Sequence, residues 1–200
     1  MVITEKSYNS ITTIPIESKL FTEGHIFIEN EISSETAETV KKQIIYLLGQ
    51  SSDKPIWLHI DSPGGDITAG LMIYDIIQSF HDRIFCVCTG RACSMAAVIL
   101  ASGARGHRFI LPNSETMIHE PLLANGLAGN CSSIEATSKR LIDAKQKLNE
   151  ILAKHTGRSV EEINEQTSFD NYLSAEETVS LGLADRIISF KEITEGKINE

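Results

Sequence analysis

The sequence predicts a single α/β domain in which βα units stack around a mostly parallel sheet. Short apolar segments alternate with amphipathic segments of helical spacing through the middle of the chain, which is typical of βα units. The chain has 200 residues, 42% of them hydrophobic, which suffices for one core, and neither a repeat nor a linker divides it. We expect an N-terminal arm over residues 1–24, the domain over residues 25–190 and a solvated C-terminal tail over residues 191–200.

The predicted elements of the first half follow the arm, whose polar, weakly patterned sequence indicates a mobile segment or one that a partner orders. Each predicted strand is a short apolar run, and each helix places apolar residues three or four positions apart. The strands cover residues 25–28, 55–60 and 84–88, and the helices cover residues 33–48, 67–80 and a small-residue segment from about residue 94. This order builds consecutive βα units.

The second half contains two further short strands, over residues 109–111 and 116–118, and one long helix. The helix is predicted over residues 132–155 from the apolar positions on one side, and Gly157 is well placed to terminate it. Two capping boxes, each predicting the start of a short helix, are Ser159-x-x-Glu162 and Ser174-x-x-Glu177.

Composition and charge argue against several classes of function. Lys and Arg total 18 against 27 Asp and Glu, so the formal charge is −9, whereas phosphate binding by a nucleic-acid-binding protein needs clustered positive charge. No apolar run reaches the roughly 18 residues that span a bilayer, and the first ten residues lack the apolar core of a secretion signal. No GxxxxGK[ST] phosphate loop is present, so we expect the chain not to hydrolyse ATP.

The four cysteines are too few for a disulfide scaffold, and without an export signal we expect reduced thiols and a cytoplasmic location. They are Cys86, Cys88, Cys93 and Cys131. An alternative hypothesis makes Cys93 a nucleophile, or Cys86, Cys88 and Cys93 metal ligands, but the spacing lacks a compact four-ligand pattern. We therefore expect neither a metal nor another cofactor.

Three segments end apolar strands with small or polar residues, which is where sites lie in α/β proteins. In the first, Asp61-Ser62-Pro63-Gly64-Gly65, two glycines let backbone N–H groups approach a ligand closely, although a plain turn is the simpler explanation. In the second, Ser94 follows Gly90-Arg91-Ala92-Cys93 and begins an apolar helix. It is either an N-cap or a nucleophile beside the free N–H groups of that helix.

The third segment is Met117-Ile118-His119-Glu120-Pro121, in which His119 ends a short apolar strand. A lone histidine there is more often structural than catalytic. A serine nucleophile needs a base, and the base needs an orienting carboxylate. Asp170 is a candidate because it lies in a loop between the two capped helices, but an Asx-turn explains it as well. The residues alone therefore give a candidate Ser–His–Asp set and leave the structural alternatives open.

Long ordered motifs decide between these alternatives. They are IDSPGGDITAGLMIYD (residues 60–75), GRACSMAA (90–97), RFILPNSETMIHEPL (108–122), LNEILAKHTG (148–157) and DNYLSAEETVSLGLAD (170–185). Together they resemble the proteolytic subunit of the ATP-dependent Clp proteases over about residues 26–188. The resemblance implies a crotonase-like stack of βα units with a protruding handle helix, and a serine endopeptidase activity.

The resemblance also assigns roles to residues of this sequence. It implies that Ser94 is the nucleophile, His119 the general base and acid, and Asp170 the carboxylate that orients His119. The oxyanion hole would come from the backbone N–H groups of Gly65 and Met95. It further implies heptameric rings stacked as a tetradecamer around the active sites, and a ring-shaped AAA+ Clp ATPase that feeds in unfolded protein.

The sequence departs from the family pattern at several positions. Glu120 replaces the glutamine usual after the histidine, Phe169 replaces an arginine that helps ring–ring contact, and the arm lacks the usual gate sequence. Two rival hypotheses remain: an acyl-CoA enzyme of the crotonase type, which shares the fold and the paired oxyanion donors, and a non-catalytic subunit of a mixed ring. Fluorophosphonate labelling of Ser94 discriminates against the first, and peptide cleavage by the purified chain discriminates against the second.

Overall fold

The centre of the protein is a seven-stranded, mostly parallel sheet. The computed structural model describes residues 1–7, 10–50, 54–123, 126 and 128–195, and the elements below lie within these ranges. The strands are β1 (Val2–Ser7), β2 (Ser10–Pro15), β3 (His25–Ile28), β4 (Ile56–Ser62), β5 (Ile84–Cys93), β6 (Arg108–Ile110), β7 (Glu115–Ile118), β8 (Asn171–Leu173) and β9 (Arg186–Ile187). Strands β3 to β9 form the central sheet, in which every pair is parallel except β7 with β8. The predicted α/β class is therefore confirmed.

The helices connect these strands and agree closely with the sequence pattern. They are α1 (Ile16–Thr22), α2 (Ser34–Leu48), α3 (Ile67–Ser79), α4 (Met95–Ala101), α5 (Cys131–Thr156), α6 (Val160–Thr167), α7 (Ala175–Leu181) and α8 (Phe190–Glu195), with a 3₁₀ turn at His81–Arg83. Both predicted capping boxes form, at the starts of α6 and α7. Gly157 ends α5 in the left-handed conformation, with φ of 76°. None of the described helices is long and apolar enough to cross a membrane.

Alternate residues of the central strands contribute side chains to two apolar clusters, one on each face of the sheet. In β4, Leu58 and Ile60 belong to the large core that α2, α3, α4 and α5 cover, whereas Trp57 belongs to the smaller cluster. The smaller cluster combines Trp57, Val87, Phe109, Ile188 and Ile193. Because both faces are covered, the parallel strands read in the sequence as nearly continuous apolar runs.

Strand β5 connects the core to the candidate site because its two halves pair with different strands. Residues 86–88 pair with β6, and residues 91–93 pair with β7. A bulge in β4 between Ile60 and Ser62 accompanies the change of partner. The carboxyl ends of β4, β5 and β7 consequently meet at one edge of the sheet, where the three predicted site segments begin.

The predicted end of β5 at residue 88 is wrong, since the strand continues to Cys93. Thr89 and Gly90 follow the predicted strand in the sequence, but both lie within β5. A Cβ on Gly90 would lie 2.6 Å from Asp61 Oδ1, and this same oxygen accepts the Arg91 N–H at 3.1 Å. The glycine therefore makes room for a carboxylate from the neighbouring strand.

The chain termini carry more regular structure than their sequences predict. In place of a weakly structured arm over residues 1–24, β1 and β2 form an antiparallel hairpin and α1 follows it. Phe21 of α1 packs on the core and contacts Tyr46. The expected solvated tail begins instead with α8, because Ile193 is buried in the smaller cluster. Residues 196–200 of that tail lie outside the described ranges.

Arg108 forms hydrogen bonds to the C-terminal ends of three helices. It is 3% exposed, and its Nη1 donates to the carbonyls of Ala101, His155 and Gly182 at 3.4, 3.0 and 2.9 Å. These carbonyls lie at the C-termini of α4, α5 and α7, where they have no partner within their own helix. The rest of the guanidinium pairs with the Asp185 carboxylate. One cation thus satisfies three partially negative helix ends.

Candidate active site

Ser94 lies at a strained turn between β5 and α4. Its φ of 56° makes it the one non-glycine residue with positive φ in the described part of the chain, and its ψ is −121°. Such a conformation costs of order 1–3 kcal/mol, so surrounding contacts must hold it. One of them is the Ser94 N–H, which donates to the Met117 carbonyl of β7 at 2.7 Å. Although Ser94 occupies the N-cap position of α4, its hydroxyl makes no capping hydrogen bond.

The glycine turn after β4 packs directly against Ser94. Gly64 has φ of 93°, and a Cβ there would lie 2.8 Å from Ser94 Cβ and 2.6 Å from the Cys93 carbonyl oxygen. Both distances are too short for any side chain, so glycine is required at this position. The sequence Pro63-Gly64-Gly65 is therefore more than a plain turn, because it allows a second stretch of backbone to approach the serine.

His119 and Asp170 continue a hydrogen-bonded series from the Ser94 hydroxyl. The Ser94 Oγ lies 2.8 Å from His119 Nε2, and His119 Nδ1 lies 3.0 Å from Asp170 Oδ1. The pairing of Ile118 in β7 with Asn171 in β8 places His119 and Asp170 side by side, just beyond the ladder. The side chain of His119 is 13% exposed and that of Asp170 is 64% exposed. The structure thus brings together the three side chains that the sequence singled out.

The N–H groups of Gly65 and Met95 are available beside the serine. Gly65 forms a parallel bridge with Ile32, in which the Gly64 carbonyl accepts the Ile32 N–H and the Asp66 N–H donates to the Ile32 carbonyl. In this pattern the N–H of Gly65 itself points away from Ile32. Met95 is the first residue of α4, where an N–H has no acceptor within the helix. Among the described residues, neither N–H has a backbone acceptor.

A cavity of about 440 Å³ adjoins the Ser94 hydroxyl, and Gly65 and His119 also line it. Most of its wall is apolar, including Met95, Val98, Met117, Leu122, Leu148 and Leu152. Such a wall favours an apolar group next to the serine. Two carboxylate residues, Glu31 and Asp66, line the same cavity.

The buried cysteines do not support the cysteine alternatives. Burial raises the pKa of the Cys86 and Cys88 thiols to about 12, and it also raises the pKa of Cys93. Because the thiolate is both the nucleophile and the metal ligand, these thiols are poorly suited to either role. In the part of the chain that the structure describes, no group of three or more His, Cys, Asp or Glu residues is placed to hold a metal ion.

Three histidines outside the set, the buried His59 and the half-buried His25 and His155, have structural partners. His25 Nδ1 lies 2.9 Å from His59 Nε2, and the His59 ring stacks on Phe27. His155 Nε2 lies 3.1 Å from the Tyr74 hydroxyl. Burial lowers the pKa of His59 and of His155 to about 4, with a smaller contribution from His25 at His59 and from Lys154 and two arginines at His155. His59 and His155 are therefore neutral near pH 7.

The structure adds three polar residues to the site that the sequence analysis does not single out: Glu31, Asp66 and Asn149. Glu31 lies in the loop before α2, and Asp66 is the N-cap of α3, where its side chain accepts the Ala69 N–H. Asn149 of α5 is 1% exposed and lines the cavity, yet it falls within a regular helical pattern. The one indication of its role in the sequence is that this polar residue lies within the apolar stripe of Leu148, Ile151 and Leu152.

The arrangement matches the one found in serine hydrolases. A strained serine contacts a histidine, the histidine contacts a carboxylate, and two backbone N–H groups are available beside the serine. Here it lies at the edge of a parallel sheet in an α/β protein. The sequence model of the Clp protease family matches residues 8–191. The chain belongs to the Clp protease family and is a peptidase of the Clp type. The match begins within the predicted arm, earlier than the motifs of the sequence indicate.

Proposed function

We propose that the chain is the serine endopeptidase subunit of an ATP-dependent Clp protease. Ser94 is the nucleophile, His119 is the general base and acid, and Asp170 orients His119. The N–H groups of Gly65 and Met95 form the oxyanion hole. The observation that carries this proposal is the continuous series of hydrogen bonds from Ser94 Oγ through His119 to Asp170, at the mouth of an apolar cavity.

Acylation begins when Ser94 Oγ attacks the carbonyl carbon of a peptide bond. His119 donates its Nδ1–H to Asp170, so its Nε2 is free to accept the serine proton as the new C–O bond forms. Gly65 and Met95 stabilise the oxyanion of the tetrahedral intermediate. The C–N bond then breaks, and His119 returns the proton to the leaving amine, so that an acyl-enzyme remains.

Deacylation repeats these roles with water as the nucleophile. Water attacks the ester carbonyl while His119 accepts its proton, and the C–O bond to Ser94 breaks. His119 then gives the proton to Ser94 Oγ, and the product leaves with a new carboxyl terminus. Asp170 remains ionised and stabilises the imidazolium in both halves of the reaction.

We also propose that copies of the chain form heptameric rings stacked as a tetradecamer, and that an AAA+ Clp ATPase supplies unfolded protein. Membership of the family supports this assembly. The buried residues of α5 all lie between Leu148 and Ala153, so its first half stands away from the core and is available to another copy. Ile142, Phe169 and Tyr172 are exposed apolar residues that such contacts would cover. The free thiols support a location in the reducing cytoplasm.

Replacement of Ser94 by alanine tests the catalytic assignment. We expect Ser94→Ala to lower kcat for a short fluorogenic peptide by about 10⁴-fold or more without changing the size of the assembly. Ser102→Ala is a matched control, because Ser102 is a buried serine at the far end of α4 whose hydroxyl bonds the Ile99 carbonyl. Unchanged turnover in Ser94→Ala would overturn the proposal.

The wild-type chain distinguishes the rival functions. Turnover of an acyl-CoA substrate without fluorophosphonate labelling would favour an acyl-CoA enzyme. A folded chain that assembles but neither reacts with the probe nor cleaves peptides, alone or with Clp ATPases, would favour a non-catalytic ring subunit. Cleavage of peptides together with labelling of Ser94 supports the peptidase over both.

A further inference from the structure

Asn149 is a buried polar residue that lies beside the Ser94–His119–Asp170 set without belonging to it. It is 1% exposed and lines the cavity from α5. Its Nδ2 donates to Asn164 Oδ1 at 2.5 Å and to Thr167 Oγ1 at 3.2 Å, and both acceptors are on α6. A buried amide is destabilising unless its partners are in place, so these bonds fix α5 against the end of α6.

Thr167 carries this contact to the segment that follows His119. Thr167 is fully buried, and its hydroxyl also donates to the Ile163 carbonyl at 2.9 Å. Its own main-chain carbonyl accepts the N–H of Glu120 at 2.7 Å. Glu120 directly follows His119, and Thr167 lies shortly before Asp170 in the chain. One hydrogen bond therefore joins the segment after His119 to the segment before Asp170.

The His119–Asp170 contact lies between two sets of main-chain hydrogen bonds. On one side is the β7–β8 ladder, which ends with the pairing of Ile118 and Asn171. On the other side is the Thr167–Glu120 hydrogen bond. Within the described residues, His119 is the one hydrogen-bond partner of the Asp170 side chain, which is 64% exposed. The position of Asp170 consequently depends on how firmly its own segment is held.

A second contact between α5 and this region has less influence. Lys145 Nζ lies 2.5 Å from the Glu120 carboxylate, but the two side chains are 38% and 47% exposed. Ion pairs as exposed as this contribute little, and salt screens them. The buried contact between Asn149 and Thr167 is therefore the stronger tie, because removing one partner leaves the other unsatisfied away from water.

We propose that Asn149 and Thr167 are positioning residues that hold His119 and Asp170 at hydrogen-bond distance through the main chain of Glu120. The inference rests on the proposed peptidase function. Loss of the Thr167 hydroxyl deprives the Asn149 amide of a buried partner and loosens the Thr167–Glu120 bond. The chemical step then slows, whereas substrate binding changes little because the apolar wall of the cavity is retained.

Thr167→Val tests this role, with Thr167→Ser as the conservative variant. Thr178→Val is a matched control, because Thr178 is also fully buried and its hydroxyl bonds Thr116 Oγ1 at 2.8 Å. We expect Thr167→Val to lower kcat for a short peptide at least about tenfold, with KM within about twofold, since small displacements of catalytic groups slow chemistry more than binding. Thr167→Ser restores kcat, and Thr178→Val leaves it near the wild-type value.

A spectroscopic measurement on the full chain complements the kinetics. The far-downfield proton resonance of the His119 Nδ1–H shared with Asp170 should weaken or disappear in Thr167→Val and persist in Thr178→Val. If Thr167→Val fails to assemble, Asn149→Ser takes its place, because it removes the same contact from the side of α5.

The outcomes separate this inference from the proposed function. If the wild-type chain cleaves peptides and Thr167→Val keeps both its kcat and the downfield resonance, the positioning role is overturned and the peptidase stands. Equal losses of kcat in Thr167→Val and Thr178→Val, in proportion to lost thermal stability, also overturn it. If fluorophosphonate does not label wild-type Ser94 and no peptide is cleaved, both the proposed function and this inference are overturned.

Discussion

At the scale of single residues, the conformation of Ser94 depends on a close contact that glycine alone permits. The strained serine, the Met117 carbonyl that accepts its N–H and the backbone of Gly64 lie within one small region. The strain exposes the hydroxyl to His119 instead of to the N-terminus of α4. A residue that reads in the sequence as an ordinary N-cap is thereby turned towards a histidine.

Gly64→Ala should disable this arrangement. The added Cβ would clash with Cys93 and Ser94, and the resulting displacement should lower kcat/KM for a short peptide by about 10²-fold or more. Gly106→Ala is the control: Gly106 has a similar φ of 86°, but a Cβ added there would have no atom within 4 Å. It therefore imposes the backbone strain without the clash. Wild-type activity in Gly64→Ala would contradict the close packing of the two turns.

The half-buried His155 makes stability depend on pH. Burial lowers the folded-state pKa of His155 to about 4 from its ordinary 6.5, so the unfolded chain binds more protons between these values. Stability is then fully present above about pH 6.5 and is lost as the pH falls towards about 4. His155→Gln should lose less stability than the wild type between pH 7 and pH 5, as measured by urea unfolding at each pH. Equal losses would show that His155 does not contribute.

At the scale of secondary-structure elements, the structure depends on how helix ends are satisfied. The capping boxes of α6 and α7 are local, so the sequence reveals them. The C-termini of α4, α5 and α7 meet around Arg108, which is a long-range contact that no short motif indicates. Arg108 lies just before the predicted strand over residues 109–111, and its partner Asp185 lies far along the chain.

Arg108→Met should destabilise the fold strongly. It leaves the Asp185 carboxylate and three helix-end carbonyls without their shared donor, and breaking a buried pair in this way costs about 3–5 kcal/mol. The double variant Arg108→Met, Asp185→Leu should recover part of the loss, because it removes the unpaired charge. Thermal unfolding of the two variants provides the measurement. A midpoint for Arg108→Met near that of the wild type would contradict the role of the network.

At the scale of the whole molecule, the sequence predicts the features that depend on local pattern. The parallel core, the length of α5 and its end at Gly157 follow from periodicity and from glycine. The burial of Ile193 and the contact of His25 with His59 arise from residues far apart in the chain. The hairpin of β1 and β2 is local, but its polar sequence gives too weak an apolar pattern to predict it. Ordered motifs indicate Ser94, His119 and Asp170, whereas no sequence pattern predicts the hydrogen bond between Asn149 and Thr167.

The proposed function also explains why the sequence has no phosphate loop. In our proposal another protein hydrolyses ATP, and this chain hydrolyses peptide bonds. A small domain with an apolar cavity beside a serine is sufficient for that reaction. In our proposal, the exposed first half of α5 is the part of the molecule through which copies join.

The most direct test of the proposed chemistry is to treat the assembled chain with a fluorophosphonate and to locate the adduct by mass spectrometry. We predict a single modified serine, Ser94, with no adduct in Ser94→Ala and much slower labelling in His119→Ala, because the histidine activates the hydroxyl. An unmodified Ser94 in a folded, assembled wild-type chain would contradict the assignment of Ser94 as the nucleophile.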